Sequence, residues 1–219
     1  MKLYYSAGSP FARKVRAVLL EKGLAFESDL ANRLRLPGQT PGPTMAVPVL
    51  EDGEVVLWES DLIVDYLLRT YPTAPSGDPP MAPWLARPER HWQDMAVLAA
   101  LATYGSTVVN ITLLGRDDVT PETSDYMGRQ HMRVAQCLDW LETQATAEGF
   151  APGWFSVMDI AFIANAAFAE TRPKLEWRGR KRLEALYDRF AGRASMVATE
   201  PGPPPVVSRP YRLVRTPVG

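Results

Sequence analysis

The chain has 219 residues, room for two small domains, and 46% hydrophobic residues, enough to build real cores. A formal net charge of -1 gives no electrostatic case for nucleic acid, and the one dense basic run, Arg178 to Arg182, is flanked by Glu176 and Glu184. Cys137 stands alone and His91 and His131 lie far apart, which excludes an internal disulfide and a thiolate metal site and leaves no metal expected.

Along the chain the first elements alternate. "KLYY" reads as a strand, "PFARKVRAVLLEKG" as a helix closed by Gly23, and "AFESDL" as a second strand. "VPVLEDGEVVLW" reads as a hairpin with Asp52-Gly53 between two β-branched runs. "ESDLIVDYLLRTY" returns to helix, with Leu62, Ile63, Tyr66 and Leu67 on one face. Residues 1–72 therefore form an α/β domain of order β-α-β, then β-β-α. A proline-rich stretch, 73–84, interrupts every regular pattern and is the expected linker. Residues 85–200 carry only helical grammar, with long segments near Glu89 to Leu114, Glu122 to Ala147, Val157 to Thr171 and Lys181 to Gly192, and predict an antiparallel bundle. The tail, 201–219, is too rich in proline for regular structure.

The amino terminus has no apolar signal core, and no run approaches the roughly 20 apolar residues that span a bilayer. A soluble, cytoplasmic protein with no membrane partner is expected.

Three short stretches can carry chemistry. In "SAGSPF" Ser9 is placed to cap a helix that starts at Pro10, because its hydroxyl accepts an orphan backbone N-H and proline has none to lose. The same helix start favours an anion beside it, to which a hydroxyl can donate. In "MAVPVL" Pro48 interrupts a strand pattern and predicts a special bend, a cis peptide after Val47. A cis bond there turns the Val47 backbone toward an extended peptide laid alongside. In "WESDL" Ser60 can cap the next helix, or that N-terminus can take a ligand carboxylate while Glu59 meets an ammonium. "FSVMDI" reads as structure, a capping box of Ser156 with Asp159.

"YYSAGSPFARKVR", "VPVLEDG" and "ESDLIVDYL", in that order and spacing, resemble the thioredoxin-like domain of the glutathione transferase superfamily, and "FSVMDIAF" resembles the start of the central helix of its all-helical second domain. The similarity runs from Lys2 to about Pro201. It implies an N-terminal thioredoxin-like domain followed by a C-terminal helical bundle, glutathione as co-substrate, a homodimer and a detoxifying role. "SPF" is similar to the serine or cysteine motif of the tau and omega classes, so Ser9 takes the place of the group that activates the glutathione thiol as thiolate. The resemblance assigns Val47 and Pro48 to the clamp on the cysteinyl part of glutathione and Glu59 and Ser60 to its γ-glutamyl end. The second substrate is then a hydrophobic electrophile, with Phe11, Tyr104 and Val108 as candidate walls of its pocket. In many members an Asn-Pro-x-Gly-Lys run precedes the Val-Pro; here Gly42 to Ala46 read "GPTMA", and the lysine is Ala46. Arg33, Arg35 and Gln39 are candidates to replace it. The alternative from another class is a non-catalytic glutathione-binding or protein-interaction member of the same fold. A thiol-disulfide oxidoreductase is disfavoured, because Ser9 stands where a redox cysteine belongs.

Overall fold

The computed structural model describes residues 1–30, 41–72, 77–84, 86–173 and 175–201. Arg33, Arg35, Gln39 and the tail after Pro201 lie outside the described residues. Strand β1 (Lys2–Tyr5) leads into helix α1 (Pro10–Glu21), and Gly23, at φ 63, turns the chain toward β2 (Glu27–Leu30). The hairpin β3 (Val49–Asp52) and β4 (Val55–Trp58) follows, then α2 (Ser60–Thr70). The sheet order is β2-β1-β3-β4, with β1 parallel to β2 and antiparallel to β3. Tyr4 faces Asp29 on one side and Val49 on the other. This is the thioredoxin-like half.

The helical half has a short 3-10 turn, Pro88–Arg90, running into α3 (His91–Gly115), then α4 (Asp125–Gln144), α5 (Val157–Thr171), α6 (Lys181–Phe190) and a five-residue α7 (Ala194–Ala198). Helix α5 is buried along most of its length, and α3 and α1 both pack on it. Its apolar run from Ile160 to Ala169 is what a helix surrounded by others requires. Helices α3 and α5 approach tightly at Gly105, where a Cβ would stand 2.6 Å from Asn165 Oδ1, and Asn165 Nδ2 donates to Leu101 O at 3.0 Å.

One expectation needs correction. Among the described residues, the helical stretch through α3 is long and apolar enough to cross a membrane by length and composition. Thr103, Ser106 and Thr107 interrupt its apolar run and donate back to carbonyls of the same helix. In the fold one face of α3 packs on α4 and α5.

The two halves are tied by arginines. Arg193, just before α7, meets Glu21 of α1 through Nε and Nη2, both at 2.7 Å, and donates to Pro79 O at 2.8 Å. From α1, Arg13 donates to Met196 O at 3.0 Å and Arg16 reaches Ala198 O, so orphan carbonyls of α7 are satisfied by the other half.

Candidate functional site

A cavity of about 360 Å³ opens where α1, the segment before β3, and α2 of the first half face α3 of the second. Val47, Pro48, Glu59 and Ser60 all line it, with Phe11 at one side and Ala46 at another. Two stretches of the chain, residues 46–48 and 59–61, thus meet in one place, brought there because β3 and β4 form a tight hairpin whose two outer ends lie side by side: Val49 pairs with Trp58. The Val47–Pro48 peptide is cis, and Pro48 is buried.

Helix α2 begins at this cavity in an unusual way. Its N-cap is Glu59, at φ 67 and ψ 117, and no side chain caps the helix. Ser60 is the first helical residue, 4% exposed, and does not cap α2 as the sequence suggested. The reason is geometric: an N-cap must be non-helical, and the bend is taken by Glu59 instead. A left-handed glutamate costs on the order of 1–2 kcal/mol, and such strain gathers at functional sites. The first N-H groups of α2 are left without a side-chain cap beside a concave surface. Beneath them lies Lys14 of α1, 5% exposed and ion-paired with Asp61, which also lines the cavity. Burial pushes the Lys14 pKa down, and the carboxylates of Asp61 and Glu59 oppose that shift.

Ser9 stands at the start of α1, half-buried and extended at φ -83 and ψ 124, with Pro10 as the first helical residue. Its Oγ accepts from Ala12 N at 3.3 Å. Among the described residues nothing receives the hydroxyl hydrogen. Ser9 is two residues from Phe11, which lines the cavity.

The remaining candidates are not gathered here. Tyr104 and Val108 are 0% and 1% exposed in the helical core and do not line this cavity. The α3 face that does is Ala102, Thr103 and Ser106, roughly a quarter to half a turn around the helix. Small residues of this kind carry no signal that sequence reasoning can read. Ser156 and Asp159 lie far from it in the structural role expected: Ser156 Oγ accepts from Asp159 N at 3.3 Å and the Asp159 carboxylate accepts from Ser156 N at 2.7 Å. Asp159 also accepts from Phe150 N at 2.9 Å. Among the described residues no group of three or more His, Cys, Asp or Glu is placed to share a metal ion.

The α/β half thus has thioredoxin-like topology and is joined to a helical bundle, with a cavity at the seam. Residues 3–77 match the glutathione S-transferase N-terminal domain family. A glutathione S-transferase of Hyoscyamus muticus is 38% identical over 76 residues, 32% of this chain and 36% of that protein, so the match spans about a third of that relative. Glutathione S-transferase PARB of Nicotiana tabacum is 27% identical over 179 residues, 75% of this chain and 80% of that one. Among solved structures, a glutathione S-transferase from Methylobacterium radiotolerans, in complex with glutathione sulfonate, superposes with a TM-score of 0.78 at 26% identity over 96% of this chain and 99% of that chain. Over residues 3–77 the chain matches the glutathione S-transferase N-terminal domain family, and over nearly its full length it is similar in fold to a glutathione S-transferase.

Proposed function

We propose that the chain is a glutathione transferase whose thiol substrate lies along the cavity at the seam. The observation that carries the reading is the convergence of Val47, Glu59 and Ser60 on one concave surface with Phe11, two residues after Ser9. The Val47 backbone holds the cysteinyl unit. Ser60 and the uncapped start of α2 take the γ-glutamyl carboxylate, and Glu59 takes its ammonium. The Ser9 hydroxyl donates its unspent hydrogen to the sulfur and, with the positive end of α1, favours thiolate over thiol. The thiolate then forms a carbon–sulfur bond with the electrophile as the leaving group departs, and the thiol proton passes to water. The electrophile enters between Phe11 and the small-residue face of α3.

Calorimetry with glutathione, followed by conjugation and disulfide-reduction assays on the same sample, tests the reading. Micromolar to millimolar binding with conjugation supports it. Binding without turnover favours the second reading, a non-catalytic glutathione-binding or protein-interaction member, for which Ala46 at the cavity wall is the specific observation. Disulfide reduction without conjugation would point to an oxidoreductase.

A homodimer belongs to the same reading. Trp92 is 79% exposed on α3, Met95 and Ala99 follow it on the same helix face, and Leu62 is 48% exposed on α2. Light scattering on the wild type and on Trp92→Glu is the check. A cytoplasmic setting suits a chain with one half-buried cysteine.

A further inference from the structure

One acidic residue of the seam cavity has no part in the contacts assigned above. Glu59 and Asp61 both line the cavity, two positions apart at the first turn of α2, and both are exposed. No lysine, arginine or histidine is among the described residues that line it with them. Two carboxylates this close repel each other and favour a cation that meets both.

From beneath, that cation is Lys14. Its buried ammonium binds Asp61 Oδ1 and also feels the charge of Glu59. Lys14 is not one of the cavity-lining residues, so a ligand does not meet it directly. It occupies one oxygen of Asp61. Oδ2 has no donor among the described residues, and the side chain is more than half exposed. Lys14 therefore fixes the Asp61 carboxylate in place while half of its acceptor capacity stays open to a ligand.

The backbone at this corner has the opposite preference. Helix α2 starts with no side-chain cap, so its first N-H groups favour an anion. A lone anion placed there would stand beside Glu59 and Asp61 and be repelled. An anion that carries its own cation is accepted, because its carboxylate meets the N-H groups while its ammonium meets the two side chains. The corner is complementary to a zwitterion and hostile to a simple acid.

We propose that Asp61 is a specificity-determining residue: with Glu59 it holds the free α-ammonium of the thiol substrate, and it rejects thiols whose γ-glutamyl amino group is missing. The inference rests on the transferase reading above and narrows the thiol to peptides with an intact α-amino acid head. An ammonium has three donors, and Asp61 supplies an acceptor beside Glu59 whose position is set from below by Lys14.

Calorimetric titration of glutathione and of glutaryl-cysteinylglycine, the same peptide with hydrogen in place of the amino group, reads what the ammonium contributes. The wild type should bind glutathione at least about tenfold more tightly. Asp61→Asn should reduce that preference to about threefold or less, by weakening glutathione while leaving the deaminated peptide unchanged or slightly tighter. Equal weakening of both peptides would mean a collapsed corner and would overturn the inference. Asp61→Asn strands the buried Lys14 charge, so the substitution is also made in a Lys14→Met background, where no buried charge is left behind. There it should cause the same loss of preference. A preference undiminished by Asp61→Asn in either background would assign the ammonium to Glu59 alone and overturn the inference. Conjugation of each peptide to 1-chloro-2,4-dinitrobenzene separates this failure from that of the transferase reading. A wild type that binds and conjugates both peptides equally well refutes the role of Asp61 only, whereas one that binds neither refutes both.

Discussion

Helices α1 and α5 begin alike and end up in different trades. Each has a serine N-cap with extended backbone, and each serine Oγ accepts from the N3 backbone N-H at 3.3 Å. At α5 the third helical residue is Asp159, which reaches back to Ser156 N, receives the Ser156 hydroxyl at 2.6 Å and ties in Phe150. Every hydrogen there is used, and Ser156 and Asp159 are 2% and 0% exposed. At α1 the third residue is Ala12, nothing reaches back among the described residues, and the Ser9 hydrogen stays available two residues before Phe11, which lines the seam cavity. The cap itself is common to both. What separates Ser156 from Ser9 is that the neighbours of Ser156 consume its donor.

The largest expected effect lies on the closed side. Asp159→Ala strands two backbone donors and a hydroxyl in the core, so it should cost about 3–5 kcal/mol of stability, well beyond the roughly 1 kcal/mol of an ordinary cap. Turnover per folded molecule should hold. The same carboxyl has a pH signature. Burial pushes it from 3.8 up to about 6, against the pull of the hydrogen bonds from Ser156 and Phe150. A raised folded-state pKa means stability that is complete below about 3.8 and is lost as pH rises through about 6. Over that window the wild type should lose about 3 kcal/mol relative to Asp159→Asn, which has no proton to release. Parallel denaturation curves across the range would refute the assignment.

On the open side, Ser9→Ala should lower the conjugation rate by about 2–4 kcal/mol, the scale of one lost anion-stabilising donor. Its stability should fall by no more than about 1 kcal/mol, because only the bond from Ala12 N is lost. Unchanged turnover in a folded variant would return Ser9 to a purely capping role, and the contrast with Ser156 would collapse.

The two caps were equally legible in the sequence, because a cap is local: serine, then proline or an acidic residue within three positions, then a helical period. So were the hairpin, α2 and the four long helices. The parts that were not legible depend on distant partners. Helix α7 is five residues long and is held by Arg13 and Arg16, more than 180 positions earlier. Tyr104 and Val108 carry the apolar character of a pocket wall, but which face of α3 turns to the seam is decided by α4 and α5, and small Ala102 and Ser106 occupy the place instead. Lys14 reads as one more surface cation of an amphipathic helix until α2 is folded over it.

That buried lysine yields an asymmetric test of the seam. The Lys14 side chain is 6% exposed and its partner Asp61 is 55% exposed. Removing the exposed partner leaves a buried charge behind, whereas removing the buried one leaves a carboxylate already in water. Asp61→Asn should therefore cost about 2 kcal/mol and Lys14→Met less than about 1 kcal/mol, as read by urea denaturation. The reverse order would mean that Lys14 is stabilised by Glu59 and the α2 corner rather than by Asp61.

The smallest expected effect concerns Ala46, exposed at the wall of the seam cavity, where the family resemblance of the sequence leads one to expect a lysine. If the thiol substrate lies as proposed, its glycine carboxylate reaches this wall. Ala46→Lys then supplies a cation at a solvated site, where a charge-assisted contact adds about 0.5–2 kcal/mol to binding. The gain corresponds to up to about thirtyfold in affinity for glutathione. It should shrink between low and high salt, since the new contribution is a screened charge, and it should vanish for γ-glutamylcysteine, which has no glycine. A lysine that improves both peptides equally would be acting on the γ-glutamyl end across the cavity, and the orientation drawn from Val47, Glu59 and Ser60 would have to be reversed. A lysine that improves neither would leave the glycine end unrecognised by this wall and move the weight toward a different thiol, while leaving the comparison between Ser9 and Ser156 untouched.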